Sequence, residues 1–320
     1  MRTFIVTGGA GFIGSKLAER LVREGSDVYV LDDLSTGFLR NVPKQAIVHK
    51  VDISCLDDLM ELELPKNVDA IYHIAAQSSG EASFDDPIHD IEVNYLATYN
   101  ILKLAERKRC KRFLYASSMS VYGEVNSGKN PIDEKYPCNP VSYYGCNKLA
   151  SEKLISVFVK KTHIDPTIFR FFNVYGPGQN MKNMKQGMAS IYMSYLMKET
   201  PVIVKGTLDR FRDFIFIDDV VDVLVNSEAS TATYNNTFNV GTGVKTTVHD
   251  LLKAMIKAFG KDDFNRWVLV EGNTPGDVRG LIANISKLKA ALGWMPKYGI
   301  EEGISKMKSW IDQTMDLWKD

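Results

Sequence analysis

The stretch "TFIVTGGAGFIGSKLAERLVREGSDVYVLDD", residues 3–33, runs from a short β-rich segment through a glycine turn into an amphipathic helix and out into a second β-rich segment. Gly8, Gly11 and Gly14 fall three residues apart. The first turns the chain tightly, the second lets backbone approach a diphosphate, and the third lets helix and strand pack closely. A helix opening at that point offers free N–H groups and the positive end of its dipole to an anion. Asp32 closes the second strand eighteen residues beyond Gly14, where its carboxylate can accept from the ribose diol of an adenosine. An acid there repels a 2′-phosphate, and the next arginine is Arg40, so the fingerprint predicts NAD rather than NADP. Ser15 follows Gly14 where a phosphate-binding P-loop carries lysine, which excludes that reading.

Working outward, β-rich runs recur at 46–53, 70–76, 112–118 and 167–173, separated by stretches of helical periodicity. Strands alternating with crossover helices give parallel sheets, so the fold class is α/β, a doubly wound parallel sheet of the Rossmann type. Between the fourth and fifth strands, residues 87–108 place Ile88, Ile91, Tyr95, Tyr99 and Leu102 at three- and four-residue steps, which predicts a helix buried on that side. After about residue 173 the rhythm breaks into loops, short strands at 202–206 and 237–241, and helices at 246–259 and 300–318. The expected division is a cofactor domain over 1–173, with the chain returning to it at about 214–241, and a smaller C-terminal substrate-binding lobe from 174–213 and 242–320.

With 320 residues and 45% hydrophobic composition the chain can bury cores in two lobes. Lys+Arg and Asp+Glu both number 39, and the longest basic cluster, "RKRCKR" at 107–112, reads as a helix end running into a strand. Nucleic acid is therefore not expected as a partner. Cys55, Cys110, Cys138 and Cys146 lack metal or disulfide spacing, so no metal site is expected. Early glycines interrupt any signal-like apolar run, and no apolar stretch reaches membrane-spanning length; a cytoplasmic protein without membrane contact is expected.

The stretch "SYYGCNKLASEKL", residues 142–154, sets two tyrosines before one lysine. Residues four apart share a helix face and residues five apart do not, so only Tyr144 can hold its phenol beside Lys148 if the segment is helical. "LYASSMSVYG" at 114–123 ends the fifth strand at the sheet edge where ligands bind, with hydroxyls at Ser117, Ser118 and Ser120.

These pieces, with "HIAAQSS" (73–79) and "RFFNVYGPGQN" (170–180), resemble in order and over nearly the whole chain the extended short-chain dehydrogenase/reductases that act on nucleotide sugars, and most of all the UDP-sugar 4-epimerases. The resemblance implies Ser118 as the catalytic hydroxyl, Tyr144 as acid/base and Lys148 as the grip on the nicotinamide ribose. It also implies a cofactor site lined by Gly8, Gly11, Phe12, Ile13, Gly14, Asp32, Asp33, Asp52, Ile53, Ala75 and Ala76, besides Tyr144 and Lys148. Substrate contacts are implied at Ser118, Ser120, Asn173, Arg212 and Asp277. A nearby ammonium and the positive nicotinamide ring are both expected to favour the phenolate. Family members that go on to dehydrate or decarboxylate commonly carry an acid two places after the catalytic hydroxyl; Met119 and Ser120 stand here, so the implied reaction is NAD-dependent 4-epimerisation of a nucleotide sugar, UDP-linked by the resemblance. A homodimer through the helices near 88–108 and 143–161 is implied in the same way.

Overall fold

The computed structural model describes residues 1–125, 131–272 and 280–318. Its frame is a seven-stranded sheet: β1 (Thr3–Thr7), β2 (Asp27–Asp32), β3 (Ile47–Lys50), β4 (Ala70–His73), β5 (Arg112–Ser118), β6 (Asp165–Phe171) and, far along the chain, β11 (Asn236–Val240). The strands lie in the order β11-β6-β5-β4-β1-β2-β3, and every pair is parallel. The order reverses between β1 and β4, the crevice where such sheets take ligands.

Helices α1 (Phe12–Arg23), α2 (Leu56–Glu61), α3 (Ala82–Asp85), α4 (Pro87–Ile91), α5 (Ala97–Arg107) and α6 (Tyr143–Phe158) cover the frame. β5 is buried along its whole length, as a central strand clad on both faces must be. Beyond it come β7 (Asn173–Tyr175), α7 (Met188–Met197), β8 (Val202–Val204), β9 (Phe211–Arg212), β10 (Phe214–Phe216) and α8 (Ile217–Ala229). The remainder is β12 (Thr246–Thr247), α9 (Val248–Ala258), α10 (Phe264–Trp267), β13 (Val268–Val270), α11 (Ser286–Leu292) and α12 (Ile300–Gln313). Three two-stranded sheets, β10-β7, β12-β9 and β13-β8, stand apart from the large one. The β10-β7 and β13-β8 sheets share an apolar core with α7, α9 and α12 that includes Met193, Leu252, Met255 and Met307. Among the described residues no helix is long and apolar enough to cross a membrane.

Three sequence expectations change. The run 167–173 is two strands: β6 stops at Phe171 and Asn173 starts β7, which pairs with β10 outside the large sheet. The third strand is shorter than 46–53, because the Asp52 carboxylate accepts from Ser54 N at 2.8 Å and turns the chain. The helix at 87–108 turns a different face inward. Ile88 is 64% exposed, and Ile91, Tyr95 and Tyr99 are exposed as well, while Asp90, Asn94, Thr98, Ile101 and Leu102 are buried. One turn, Glu92–Leu96, is a π-helix, which shifts the register between α4 and α5. The buried polar residues of that face find hydrogen bonds: Thr98 Oγ1 donates to Asn94 O at 2.7 Å, and the Asp90 carboxylate accepts from Asn147 Nδ2 at the same distance.

Candidate active site

At the glycine turn, Gly8 has φ +67 and its N–H donates to Leu31 O at 2.8 Å, which ties the turn to the end of β2. A Cβ on Gly14 would stand 2.1 Å from Gly8 O, so no larger residue fits this approach of helix to strand. Gly11 caps α1 without a side chain, leaving the first N–H groups of the helix to a ligand. Phe12 and Ile13 open that helix half-buried. A Cβ on Gly8 would meet the Ala75 backbone at 2.8 Å, which sets Ala75, beside Ala76, against the turn. The Asp32 carboxylate accepts from Ala10 N and Leu34 N, each at 2.9 Å, and burial raises its pKa against the pull of those donors. Two N–H groups leave carboxylate lone pairs over for a diol. The uncapped helix end and the Cβ-free cradle fit a dinucleotide. Asp33 and Asp52 are exposed and hold local turns with Ser35 and Ser54, and Ile53 packs into the core behind β4.

Further along the same sheet edge, β5 ends at Ser118 and α6 starts at Tyr143 behind the Ser142 cap, whose hydroxyl accepts from Gly145 N at 3.1 Å. The α6 face turned to the sheet carries Tyr144, Lys148, Ser151, Glu152 and Ile155. Tyr144 is 7% exposed; Tyr143, on the outer face, is 45% exposed and packs edge-on against Phe84. Lys148 Nζ lies 5.8 Å from the Tyr144 ring centre and 4.9 Å from that of Tyr115, and it donates to Ala116 O at 2.9 Å.

In the chain alone, burial shifts both members of this pair against their charged forms, where the sequence reading expected the ammonium to favour the phenolate. Tyr144 is pushed up to about 12, chiefly by burial, with the Ser118 hydroxyl opposing. Lys148 is pulled down to about 7 by burial, with Asp90 and Glu152 opposing. Burial is the first cause in both, so the chain's own groups do not favour the phenolate.

Several supporting groups lay outside the sequence reading. Glu152, one turn beyond Lys148, accepts from Ser117 Oγ at 2.5 Å and from both Nε and Nη2 of Arg170, at 3.0 and 2.7 Å. That buried pair ties α6 to β5 and β6 beside Tyr144 and Lys148. Asp90 accepts from Gln77 Nε2 at 2.8 Å and from Asn94 Nδ2 at 3.1 Å, joining the loop after β4 to the helices. A signal for Glu152 was present, since 144, 148 and 152 recur every four residues.

On the substrate side, Ser118 Oγ lies 3.1 Å from Ser120 Oγ and accepts from Ser120 N at the same distance. Asn173 heads β7, and its Oδ1 is buried with no hydrogen-bond partner among the described residues. Arg212 is buried in β9, donates to Phe211 O at 2.8 Å and is brought down to about 10, first by burial and then by Arg210. Asp213 accepts from Thr242 N, Gly243 N and Ala283 N at 2.7 to 3.0 Å and so fixes the loop after β11. Asp277 lies outside the described residues.

The sequence profile of the NAD dependent epimerase/dehydratase family matches residues 4–241. UDP-glucose 4-epimerase of Mycolicibacterium smegmatis is 34% identical over 313 residues, 96% of this chain and 97% of that protein. The solved UDP-glucose 4-epimerase from Thermotoga maritima with UDP-glucose is similar at a TM-score of 0.91 and 30% identity, covering 98% of this chain and 99% of that one. The UDP-glucose 4-epimerase of Thermus thermophilus, solved in complex with NAD, gives 0.87 at 33% identity, again over 98% and 99%. The match over most of the chain, with a glycine cradle and a strand-end aspartate suited to NAD, makes this protein a member of the NAD dependent epimerase/dehydratase family.

Proposed function

We propose that the chain is a nucleotide-sugar 4-epimerase working on UDP-sugars. The observation that carries this reading is the pair of hydroxyls, Ser118 and Ser120, beside the buried Tyr144. Siblings that dehydrate or decarboxylate commonly use an acid near this point, and here a hydroxyl occupies it. Tyr144 takes the proton from the sugar's C4 hydroxyl and Ser118 orients that hydroxyl. NAD would be held by the glycine turn, Asp32 and Lys148, and would supply a hydride acceptor for C4 and a positive charge that favours the phenolate, which the chain's own groups do not. Tyr144 would return the proton to the C4 oxygen once the 4-keto sugar has turned over and the hydride has come back to the opposite face of C4, leaving no net oxidation and NAD as it began. Arg212 and Asn173 hold the diphosphate: a forked guanidinium and the N–H donors of an amide both suit phosphate oxygens. The relatives that are UDP-glucose 4-epimerases support the substrate class.

Proton NMR of the protein with UDP-glucose, UDP-galactose and their N-acetyl forms tests this. Interconversion of a C4 pair without net NADH is expected; loss of carbon dioxide, loss of water or stoichiometric NADH consumption overturns it.

The same reading includes a homodimer. Ile88, Ile91, Tyr95, Leu96 and Tyr99 on the α4–α5 stretch and Val157 on α6 form an exposed apolar face. Leu96→Glu should convert a dimer to a monomer in light scattering; an unchanged mass argues against this interface. A cytoplasmic site of action and the two-lobe division, with the chain returning at 214–241, complete the proposal.

A further inference from the structure

The loop between β2 and β3 is bound to the glycine turn at one residue, Ala10. A Cβ on Gly37 would stand 2.8 Å from the Ala10 carbonyl carbon, so the loop crosses there in close contact. Phe38 N donates to Ala10 O at 3.1 Å, and Asn41 Nδ2 donates to the same oxygen at 3.2 Å. Ala10 N in turn donates to Asp32 Oδ2 at 2.9 Å. Loop, strand-end aspartate and glycine turn therefore move together, and all three belong to the adenosine end of the cofactor site.

The outer residues of the loop stand open to solvent. Leu39 and Arg40 are exposed, and Leu34 has φ 62, a conformation that a leucine rarely adopts. The outer brace comes from the far end of the chain. The Arg40 guanidinium lies 4.0 Å from the centre of the Phe38 ring and 5.8 Å from that of Trp318. Trp318 is firmly seated. It is buried, stands edge-on to Trp310 of α12 at 5.6 Å, and donates its indole N–H to Thr314 Oγ1 at 3.0 Å. It belongs to the apolar core of α7, α9 and α12.

We propose that Trp318 and Arg40 form a clasp that holds the 33–41 loop down on the glycine turn and thereby retains the adenosine end of NAD. Both are positioning residues; neither acts on the sugar. Without the clasp a smaller fraction of molecules has the loop docked, and the apparent affinity for NAD falls by that fraction. The clasp also gives Arg40 an occupation other than a 2′-phosphate.

The test follows NAD lost from the purified holoprotein, with nucleotide quantified after gel filtration, so it needs no sugar and stands apart from the proposed epimerisation. Trp318→Ala and Arg40→Met should each speed NAD loss about three- to tenfold, the range of one cation–π contact. Trp318→Phe should keep the original rate, the double variant should be no faster than either single, and kcat at saturating NAD should stay within about twofold. Should Trp318→Ala fail to fold, Arg40→Met, on an exposed turn, carries the test alone. Unchanged NAD loss in Arg40→Met, or a double variant at the product of the two singles, overturns the clasp.

Discussion

At the glycine-turn end, the cofactor cleft is made of backbone: a turn at Gly8, an uncapped helix start at Gly11 and a carboxylate already bound to two N–H groups. At the Tyr144 end it is made of buried side chains whose protonation the interior has shifted, Tyr144 upward and Lys148 downward. The first end depends on shape and tolerates no added atoms. On the proposed function the second depends on charge and should tolerate shape changes that leave the Tyr144 oxygen and the Lys148 nitrogen in place. The two ends should therefore fail differently, one by losing NAD and the other by keeping NAD and losing turnover.

The sharpest separation comes from Tyr144→Phe, which removes one oxygen and leaves the ring. Turnover should fall by about three orders of magnitude, the middle of the range for a lost acid/base group, with bound NAD and thermal stability nearly unchanged. NAD lost together with turnover would erase the contrast. Gly14→Ala is the reverse case. Its Cβ would meet Gly8 O at 2.1 Å, Gly8 C at 2.7 Å and Gly9 Cα at 2.9 Å, all backbone, so the turn must open. Affinity for NAD measured by calorimetry should drop more than about thirtyfold; affinity within about twofold of the original would mean that the turn is not a tight cradle.

Lys148 supplies a smaller effect with a definite sign. Its pKa is about 7 in the fold against the ordinary 10.5, so between those values the folded chain binds fewer protons than the unfolded one. Stability then rises with pH through that window, because the unfolding equilibrium must return a proton to the lysine. Replacing it with methionine removes this dependence. The melting temperature of the original protein should gain on that of Lys148→Met from pH 7 to pH 10; parallel curves would mean that the ammonium is not held against its solvation cost.

The same contrast decides what was legible in the sequence. The glycine turn and the parallel frame could be read because backbone requirements leave local marks: residues without Cβ at fixed spacing, and β-rich runs between helical ones. The support of the reacting end could not be read so well, because its partners are remote. Asp90 meets Asn147 57 residues away, and Ser117 Oγ donates to Glu152 across 35 residues. The helix over 87–108 misled for the opposite reason. Its apolar residues are a true stripe, but its polar residues have buried partners, and periodicity cannot tell which stripe the core takes when both can be satisfied. Asn173 likewise gives no local sign that the chain leaves one sheet for another there.

The smallest expected effect probes the comparison most finely. Tyr143 and Tyr144 are adjacent, chemically identical and carried by the same helix start, yet one is 45% exposed against Phe84 and the other 7% exposed toward Ser118 and Lys148. If position on the helix face alone assigns the chemistry, Tyr143→Phe should leave kcat, KM and NAD content within about twofold, since the ring that packs on Phe84 is retained and the residue stands off the face that carries Tyr144 and Lys148. A loss approaching that of Tyr144→Phe would mean that α6 rotates during turnover and that its two faces are not fixed, which the buried Glu152–Arg170 pair, bonded through two guanidinium nitrogens, opposes.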